Sequence, residues 1–321
     1  MNRLRVLLCG TNYGRVYLNA ISRRTDAFVL VGVLAKGSRR SHHLAAENGV
    51  PLYVDPREVG KDCVDLACAA MGSSAWQVVI KLLEQGIHVL CEHPQGSSAL
   101  MAGLRLASRR KIKFHLNGHF GDLPAARAFA RHCSRLCKSE NPVFLQALAT
   151  ERSLYGLLDI LKLSLGSLDP CRVRVLHREK RFCSLSGTIG GLPSYLLMQV
   201  SGTSRGRHLP DGSPAYLFDH RLAVGFPSGV LTLTSMSGPV LWNSAPTHAR
   251  RTRDFLWTSL YDQGTRTRDD LWRQRIEANI AALESIRKAI LGGQTAEPQR
   301  PSHILEVSRA WESVGRCLYA A

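Results

Sequence analysis

The chain has 321 residues, more than one comfortable hydrophobic core accommodates, so two domains are the default expectation. Its composition is 45% hydrophobic, no apolar run approaches the ~20 residues of a membrane span, and the first residues form a strand pattern rather than a signal peptide; a cytoplasmic protein is expected. The charge is +17, from 42 basic and 25 acidic residues, but the basic residues are dispersed and belong to no recognisable nucleic-acid module, which argues against nucleic acid as partner.

Leu4 to Cys9 is an apolar run that predicts a buried strand, and Arg15 to Ile21 has helical spacing. Between them Gly10-Thr11-Asn12-Tyr13-Gly14 turns the chain, an arrangement that brings backbone N–H groups at a helix start up to a pyrophosphate. The turn departs from G-x-G-x-x-G, because Asn12 stands where the second glycine belongs, and similar turns occur in folds that bind no dinucleotide. Phe28 to Leu34 is the second strand, followed by Ala35-Lys36-Gly37-Ser38-Arg39-Arg40-Ser41. An NAD enzyme usually carries Asp or Glu at this strand end for the ribose 2′-hydroxyl. With Ala35 there, and Lys36, Ser38 and Arg39 able to bind a 2′-phosphate through charge-assisted hydrogen bonds, NADP(H) is the expected cofactor; a solvated basic turn is the bland alternative. His42 and His43 follow on the next helix and read as surface residues.

Asp65 to Ala70 predicts a third strand ending at Met71-Gly72-Ser73-Ser74, and Trp76 to Gln85 a helix closed by Gly86. Ile87 to Cys91 is the fourth strand, closed by Glu92-His93-Pro94. A helix over Leu100 to Arg110 leads to the fifth strand, Lys113 to Asn117. Strands alternating with helices imply an α/β fold with a doubly wound parallel sheet and its ligand at the carboxyl ends of the strands. Those ends carry Gly10, Ala35, Met71 to Ser73, Glu92 to Pro94, and Asn117-Gly118-His119.

Beyond about residue 122 the pattern changes. Helices are predicted over Pro124 to Leu136 and Tyr155 to Leu165, with a strand at Val143 to Leu148. Strands then cluster at Arg172 to Leu176, Tyr195 to Val200, Arg221 to Val224 and Val230 to Ser235, around a Gly/Ser/Pro-rich loop at 201–214. A long helix over Leu271 to Leu291, a polar linker and a helix over His303 to Leu318 complete the chain. Successive strands without intervening helices predict an α+β domain with an open mixed or antiparallel sheet, so the expected division is 1–121 for a Rossmann domain and 122–321 for a substrate domain. The nine cysteines contain no CxxC pair, and Cys9, Cys68 and Cys91 lie in apolar runs, so no zinc site, other metal or disulfide framework is expected. Arginines such as Arg250, Arg251 and Arg253 read as a solvated face, although a charge this large also favours an acidic protein partner or a phosphorylated ligand.

Taken together, Cys9 to Gly14 with Tyr17-Leu18, Ala35 to Ser38, Glu92-His93-Pro94, Ser153-Leu154-Tyr155 with Leu158-Asp159, His220-Arg221-Leu222, Gly225-Phe226-Pro227 and Gly238 to Trp242 resemble the thiazolinyl imine reductases of siderophore biosynthesis. The short chain and the Gly-Thr-Asn-Tyr-Gly turn lean toward the pyochelin or mirror-image pyochelin type over the yersiniabactin type. These enzymes are similar to the glucose-fructose oxidoreductase/inositol dehydrogenase superfamily. The resemblance implies NADPH-dependent reduction of a thiazoline C=N to a thiazolidine, on an intermediate tethered to a peptidyl carrier domain of a nonribosomal peptide synthetase. It also implies a possible homodimer formed through the second domain, and a cofactor site drawn from Gly10, Thr11, Asn12, Tyr13, Gly14, Ala35, Lys36, Ser38, Arg39, Gly72, Ser73, Glu92 and Asn117.

Reducing C=N needs hydride on carbon and a proton on nitrogen, so an acid must stand near the nicotinamide. His93 closes the fourth strand where sugar-oxidising relatives carry a catalytic lysine, and an imidazole with a pKa near about 6.5 can hold a donatable proton; alternatively it only packs against the cofactor. The yersiniabactin-type enzymes have a tyrosine after the fifth strand, where this chain has Phe120, which cannot donate. His119, with Asp122 nearby, is the candidate substitute, or else a loop histidine. Phe120, Tyr155 and Asp159 are candidate substrate residues, of which Tyr155 equally suits a core position and Asp159 a helix end. A sugar or polyol dehydrogenase and a non-catalytic NADP-binding protein are the competing readings.

Overall fold

The computed structural model describes residues 3–72, 75–200, 216–246, 257–264 and 267–319. The 201–214 loop, Ser73 and the Arg250–Arg253 cluster therefore lie outside the described residues. The chain divides into two compact units, Met1–His119 with Trp272–Leu305, and Phe120–Leu271 with Glu306–Ala321. A boundary near 121 cuts the chain once, whereas the compact units exchange segment 272–305 as well, and the reason lies in the packing of a long helix described below.

The first unit is built on β1 (Leu4–Cys9), β2 (Phe28–Leu34), β3 (Leu52–Tyr53), β4 (Leu66–Ala69), β5 (His88–Glu92) and β6 (Phe114–Asn117), in the order β3-β2-β1-β4-β5-β6. All five strand pairings are parallel, and the central strands β1, β4 and β5 are almost wholly buried, which is why they read as continuous apolar runs. The sequence shows five of these strands. The sixth, β3, is two residues long and too short to produce a periodic signal. Helices α1 (Gly14–Ser22), α2 (Arg39–Glu47), α3 (Ala75–Glu84) and α4 (Ser97–Arg110) make the crossovers. Strand order reverses between β1 and β4, and the crevice at such a switch point is where open α/β sheets bind ligands.

Helix α7 (Arg268–Ile290) carries the returning segment. Its Ile276, Ala282, Leu283 and Ile286 share one core with Val6, Leu8, Val16, Tyr17 and Ile21, so apolar burial holds it to this unit. Arg24 pairs with Glu284 at 2.9 Å beside that core. Further on, Gln299 brackets Leu116, accepting from its N–H at 2.9 Å and donating to its carbonyl at 2.8 Å, which satisfies the free edge of β6.

The second unit is an eight-stranded mixed sheet. Its strands are β7 (Phe144–Thr150), β8 (Cys171–Arg178), β9 (Phe182–Ile189), β10 (Leu192–Gln199), β11 (His220–Phe226), β12 (Gly229–Leu233), β13 (Val240–Ser244) and β14 (Trp257–Tyr261), in the order β14-β13-β12-β11-β7-β10-β9-β8. Only β7 and β10 run parallel; the other neighbours are antiparallel. Helices α5 (Pro124–Leu136) and α6 (Leu154–Leu165) belong to this unit, α6 being almost entirely buried, and the last helix α8 (Pro301–Tyr319) joins it from Glu306. Along β10 burial alternates, Ser194, Leu196 and Met198 inward, Tyr195 and Leu197 outward, so one sheet face is open to solvent. The α+β architecture with a mixed sheet is as the sequence predicts. Strands β9 and β14, interrupted by Ser, Gly and Thr, and the five-residue β13 lacked a readable apolar alternation. No helix among the described residues is long and apolar enough to cross a membrane, and all nine cysteines are free thiols.

Candidate active site

At the carboxyl ends of β1, β2 and β4 lies a cleft of about 500 Å³, lined by Gly10, Thr11, Asn12, Tyr13, Ala35, Lys36, Ser38, Arg40, Ala70, Met71 and Gly72. Gly10 has φ +92°, and a Cβ there would stand 2.5 Å from the Ala70 carbonyl, so only glycine lets the two strand ends approach this closely. Gly14 starts α1, where a Cβ would meet Leu8 Cδ1 at 3.2 Å; its role is close packing of helix on strand. Tyr13 caps α1 without a side-chain hydrogen bond, and the first turn carries no acidic residue. Val16 N–H donates to the Tyr13 carbonyl at 3.0 Å, and the N–H groups of Gly14 and Arg15 lead the helix toward an anion. An adjoining hollow of about 180 Å³, lined by Leu34, Ala35, Lys36, Val54, Pro56, Met71 and Val78, is apolar and suits a flat ring.

The basic turn differs in one respect from the sequence reading. Lys36 and Ser38 line the cleft, but the arginine that does so is Arg40, not Arg39. Ser38 caps α2, accepting from Ser41 N at 3.3 Å, and successive helix positions point about 100° apart. Arg40 Nε donates to Thr11 Oγ1 at 3.3 Å, tying the basic turn to the glycine turn. His42 and His43 are exposed on α2, as expected.

A second group of side chains gathers at the ends of β5 and β6. Tyr17, buried on α1, donates from its hydroxyl to Glu92 Oε1. Asn117 Nδ2 lies 2.6 Å from Tyr17 Oη, 2.7 Å from Glu92 Oε1 and 2.8 Å from Asn279 Oδ1 of α7. His93 Nδ1 donates to the Asn117 carbonyl at 2.5 Å and lies 3.8 Å from Glu92 Oε2. His119, 4% exposed, has its ring centroid 5.3 Å from that of His93 and meets the Tyr13 hydroxyl at 3.3 Å. Burial pushes the Glu92 carboxyl up to about 7, against the hydrogen bonds from Tyr17 and Asn117 that favour its charged form. Burial, His93 and Arg275 together hold His119 well below the usual imidazole range, so it is neutral near pH 7 and offers a hydrogen bond rather than a proton.

Glu92, His93 and His119 each present one ligand-type atom within 4.8 Å of the others, a donor set able to hold a divalent cation, although no metal was expected from the cysteine pattern. The His93 nitrogen that faces Glu92 is already committed to the Asn117 carbonyl, so as it stands the group is hydrogen-bonded rather than open to a metal. For a dinucleotide the fit is better. Asn117 Oδ1 is fully buried with no hydrogen-bond partner, a lone acceptor at the strand ends next to the cleft residues, and the α1 N–H groups and glycine turn complete the cradle.

Phe120, Tyr155 and Asp159 lie in the second unit and are described within it. All three are buried. Phe120 packs edge-on against His220, with ring centroids 5.8 Å apart, and against Gly156, where a Cβ would stand 2.6 Å from its Cδ2. Asp122 accepts from Arg127 at 2.8 Å, which gives its carboxylate a partner of its own. Tyr17, Arg40 and Asn279 were missed as site residues. Tyr17 stands one helical turn after Tyr13, a spacing that hints at a shared face; Asn279 is 162 residues from Asn117 and left no sequence signal.

Residues 4–115 match the model of the oxidoreductase family with an NAD-binding Rossmann fold known as GFO/IDH/MocA, and residues 140–243 match the Irp3-like thiazolinyl imine reductase C-terminal model. The chain is an Irp3-like oxidoreductase of the GFO/IDH/MocA superfamily. Its nucleotide-binding unit and mixed-sheet unit are those expected of that superfamily. Solved structures agree in fold at low identity. An oxidoreductase from Agrobacterium radiobacter, in complex with NAD+, L-tartaric acid and magnesium, is 13% identical over 100% of this chain and 98% of its own, with a TM-score of 0.71. A putative myo-inositol dehydrogenase from Sinorhizobium meliloti 1021 is 16% identical over 99% and 98%, TM-score 0.69. A UDP-N-acetylglucosamine 3-dehydrogenase from Acidithiobacillus ferrooxidans is 16% identical over 99% and 98%, TM-score 0.71. A comparison with curated proteins gives no match.

Proposed function

We propose that this oxidoreductase reduces the C=N bond of a thiazoline to a thiazolidine with NADPH, on a siderophore intermediate held as a thioester on a peptidyl carrier domain. The Irp3-like second region supports the substrate class. The observation that carries the chemistry is His93 at the end of β5, its Nδ1–H fixed on the Asn117 carbonyl beside Glu92. That bond assigns the tautomer and leaves Nε2 as the nitrogen that exchanges a proton with substrate. When bound, a reduced nicotinamide supplies hydride to the imine carbon. His93, as imidazolium, delivers the Nε2 proton to the imine nitrogen. His119, kept neutral, orients the site through its hydrogen bond with Tyr13. NADP(H) rather than NAD(H) is supported by Ala35 in place of a carboxylate and by Lys36, Ser38 and Arg40 around the cleft.

The +17 charge favours encounter with an acidic carrier domain, and the open sheet face carrying Tyr195 and Leu197 suits a second copy of the chain. The test is NADPH oxidation with a synthetic thiazolinyl thioester, followed by mass spectrometry for a product two hydrogens heavier. NADPH binding without turnover of any thiazolinyl thioester, free or carrier-bound, refutes the reading.

A further inference from the structure

Glu92 is a partly buried carboxylate, its side chain 14% exposed, whose position the reaction so far leaves unused. Its Oε1 is fixed by Tyr17 and Asn117, and its Oε2 faces His93 Nδ1 at 3.8 Å. The Asn117 residue that holds Glu92 through its side chain also holds His93 through its carbonyl, so a single residue sets the separation of the two titrating groups. The charged or titratable groups that face this pair include His119 after β6, Tyr13 and Tyr17 from the glycine turn and α1, the buried thiols of Cys68 on β4 and Cys91 on β5, and Arg275 from α7. Burial first, and then His93 and Arg275, keep His119 neutral, and Arg275 adds positive charge beside the pair. Glu92 is the group that offsets it.

We infer that Glu92 is a positioning residue for the proposed reaction: its carboxylate, clamped by Tyr17 and Asn117, is the counter-charge that keeps the His93 imidazole protonated until the imine is reduced. In that step the carbon accepts hydride, the π pair of C=N takes the Nε2 proton, and His93 becomes neutral while Glu92 stays ionised. Water then restores the proton to His93. The two groups titrate as a pair, and the carboxylate 3.8 Å from Nδ1 carries the imidazolium proton to higher pH than a lone histidine would hold it. This inference rests on the proposed imine reduction for its purpose, but its physical content is independent of substrate.

The test is NMR titration of ¹³C-histidine-labelled protein with NADP+ bound, the His93 signal being assigned by its loss in His93→Asn. In the wild type its midpoint should lie about one pH unit above that in Glu92→Gln, and Glu92→Asp should recover at least half of the difference. In kinetics, the alkaline limb of kcat/KM should move down by the same amount, a loss of ~10-fold at pH 8 and little at pH 6. Should Glu92→Gln not fold, Tyr17→Phe removes the hydroxyl that favours the ionised carboxylate and should lower the His93 midpoint in the same direction. Equal midpoints in wild type and variants overturn the inference, as does a uniform loss of activity that follows NADPH affinity at every pH. A shifted midpoint in a protein that turns over no thiazolinyl thioester retains the pair and sinks the proposed reaction.

Discussion

Replacing Arg40 with alanine should weaken NADPH binding while leaving NADH binding within two-fold. The guanidinium lines the cleft and is steered by Thr11 Oγ1 at 3.3 Å, on the turn where a ribose 2′-phosphate is expected. A hydrogen bond between charged groups contributes roughly 1.5–3 kcal/mol to binding. Arg40 is exposed, so solvent and salt screen it, and about 1–2 kcal/mol is the defensible range. That corresponds to ~5- to 30-fold in Kd. Arg39→Ala, on the neighbouring residue that does not line the cleft, should change NADPH affinity less than two-fold. The assay is fluorescence titration of both nucleotides at low and high salt, with the NADPH preference of the wild type shrinking as salt rises. Equal losses for NADH and NADPH in Arg40→Ala would place the side chain on the pyrophosphate instead. A larger loss for Arg39→Ala would refute the assignment outright.

Gly10→Ala must adopt φ +92° and bring a methyl to 2.5 Å from the Ala70 carbonyl; a cost of about 3 kcal/mol is expected from the two effects together, read as a drop of roughly 6–12 °C in melting temperature, and a drop under 2 °C would show that the strand ends yield freely. His220 is 1% exposed, both ring nitrogens lack partners, and burial lowers its pKa to about 4. The unfolded chain therefore binds a proton that the folded chain refuses between about pH 6.5 and 4, so stability falls as pH drops through that window. His220→Leu should flatten this loss, measured as the difference in urea midpoint between pH 7.5 and 5; an unchanged difference assigns acid sensitivity elsewhere. Glu306 joins Lys162 Nζ at 2.6 Å, Ser167 Oγ at 3.0 Å and Leu168 N at 2.5 Å. Glu306→Ala should cost about 2 kcal/mol in chemical denaturation, and Lys162→Ala less, because the backbone and Ser167 contacts survive; the reverse order would refute the role of the carboxylate as a hub.

What the sequence determined by itself was the alternation of apolar strands and helices through residue 117, because each central strand is buried on both faces and must be apolar throughout. The glycine turn at Gly10, the basic turn after β2 and the Glu92-His93-Pro94 strand end were legible for the same local reason: each is set by a few consecutive residues. The tertiary structure decided the rest. Segment 272–305 returns to the first unit because Ile276, Leu283 and Ile286 find their apolar partners there, and it brings Asn279 to Asn117 across 162 positions of chain. Arg40 rather than Arg39 faces the cleft because one helix position turns a side chain by about 100°. Whether His119 carries a proton was likewise beyond the sequence, since burial and the nearby His93 and Arg275, contributed by separate elements, set its charge.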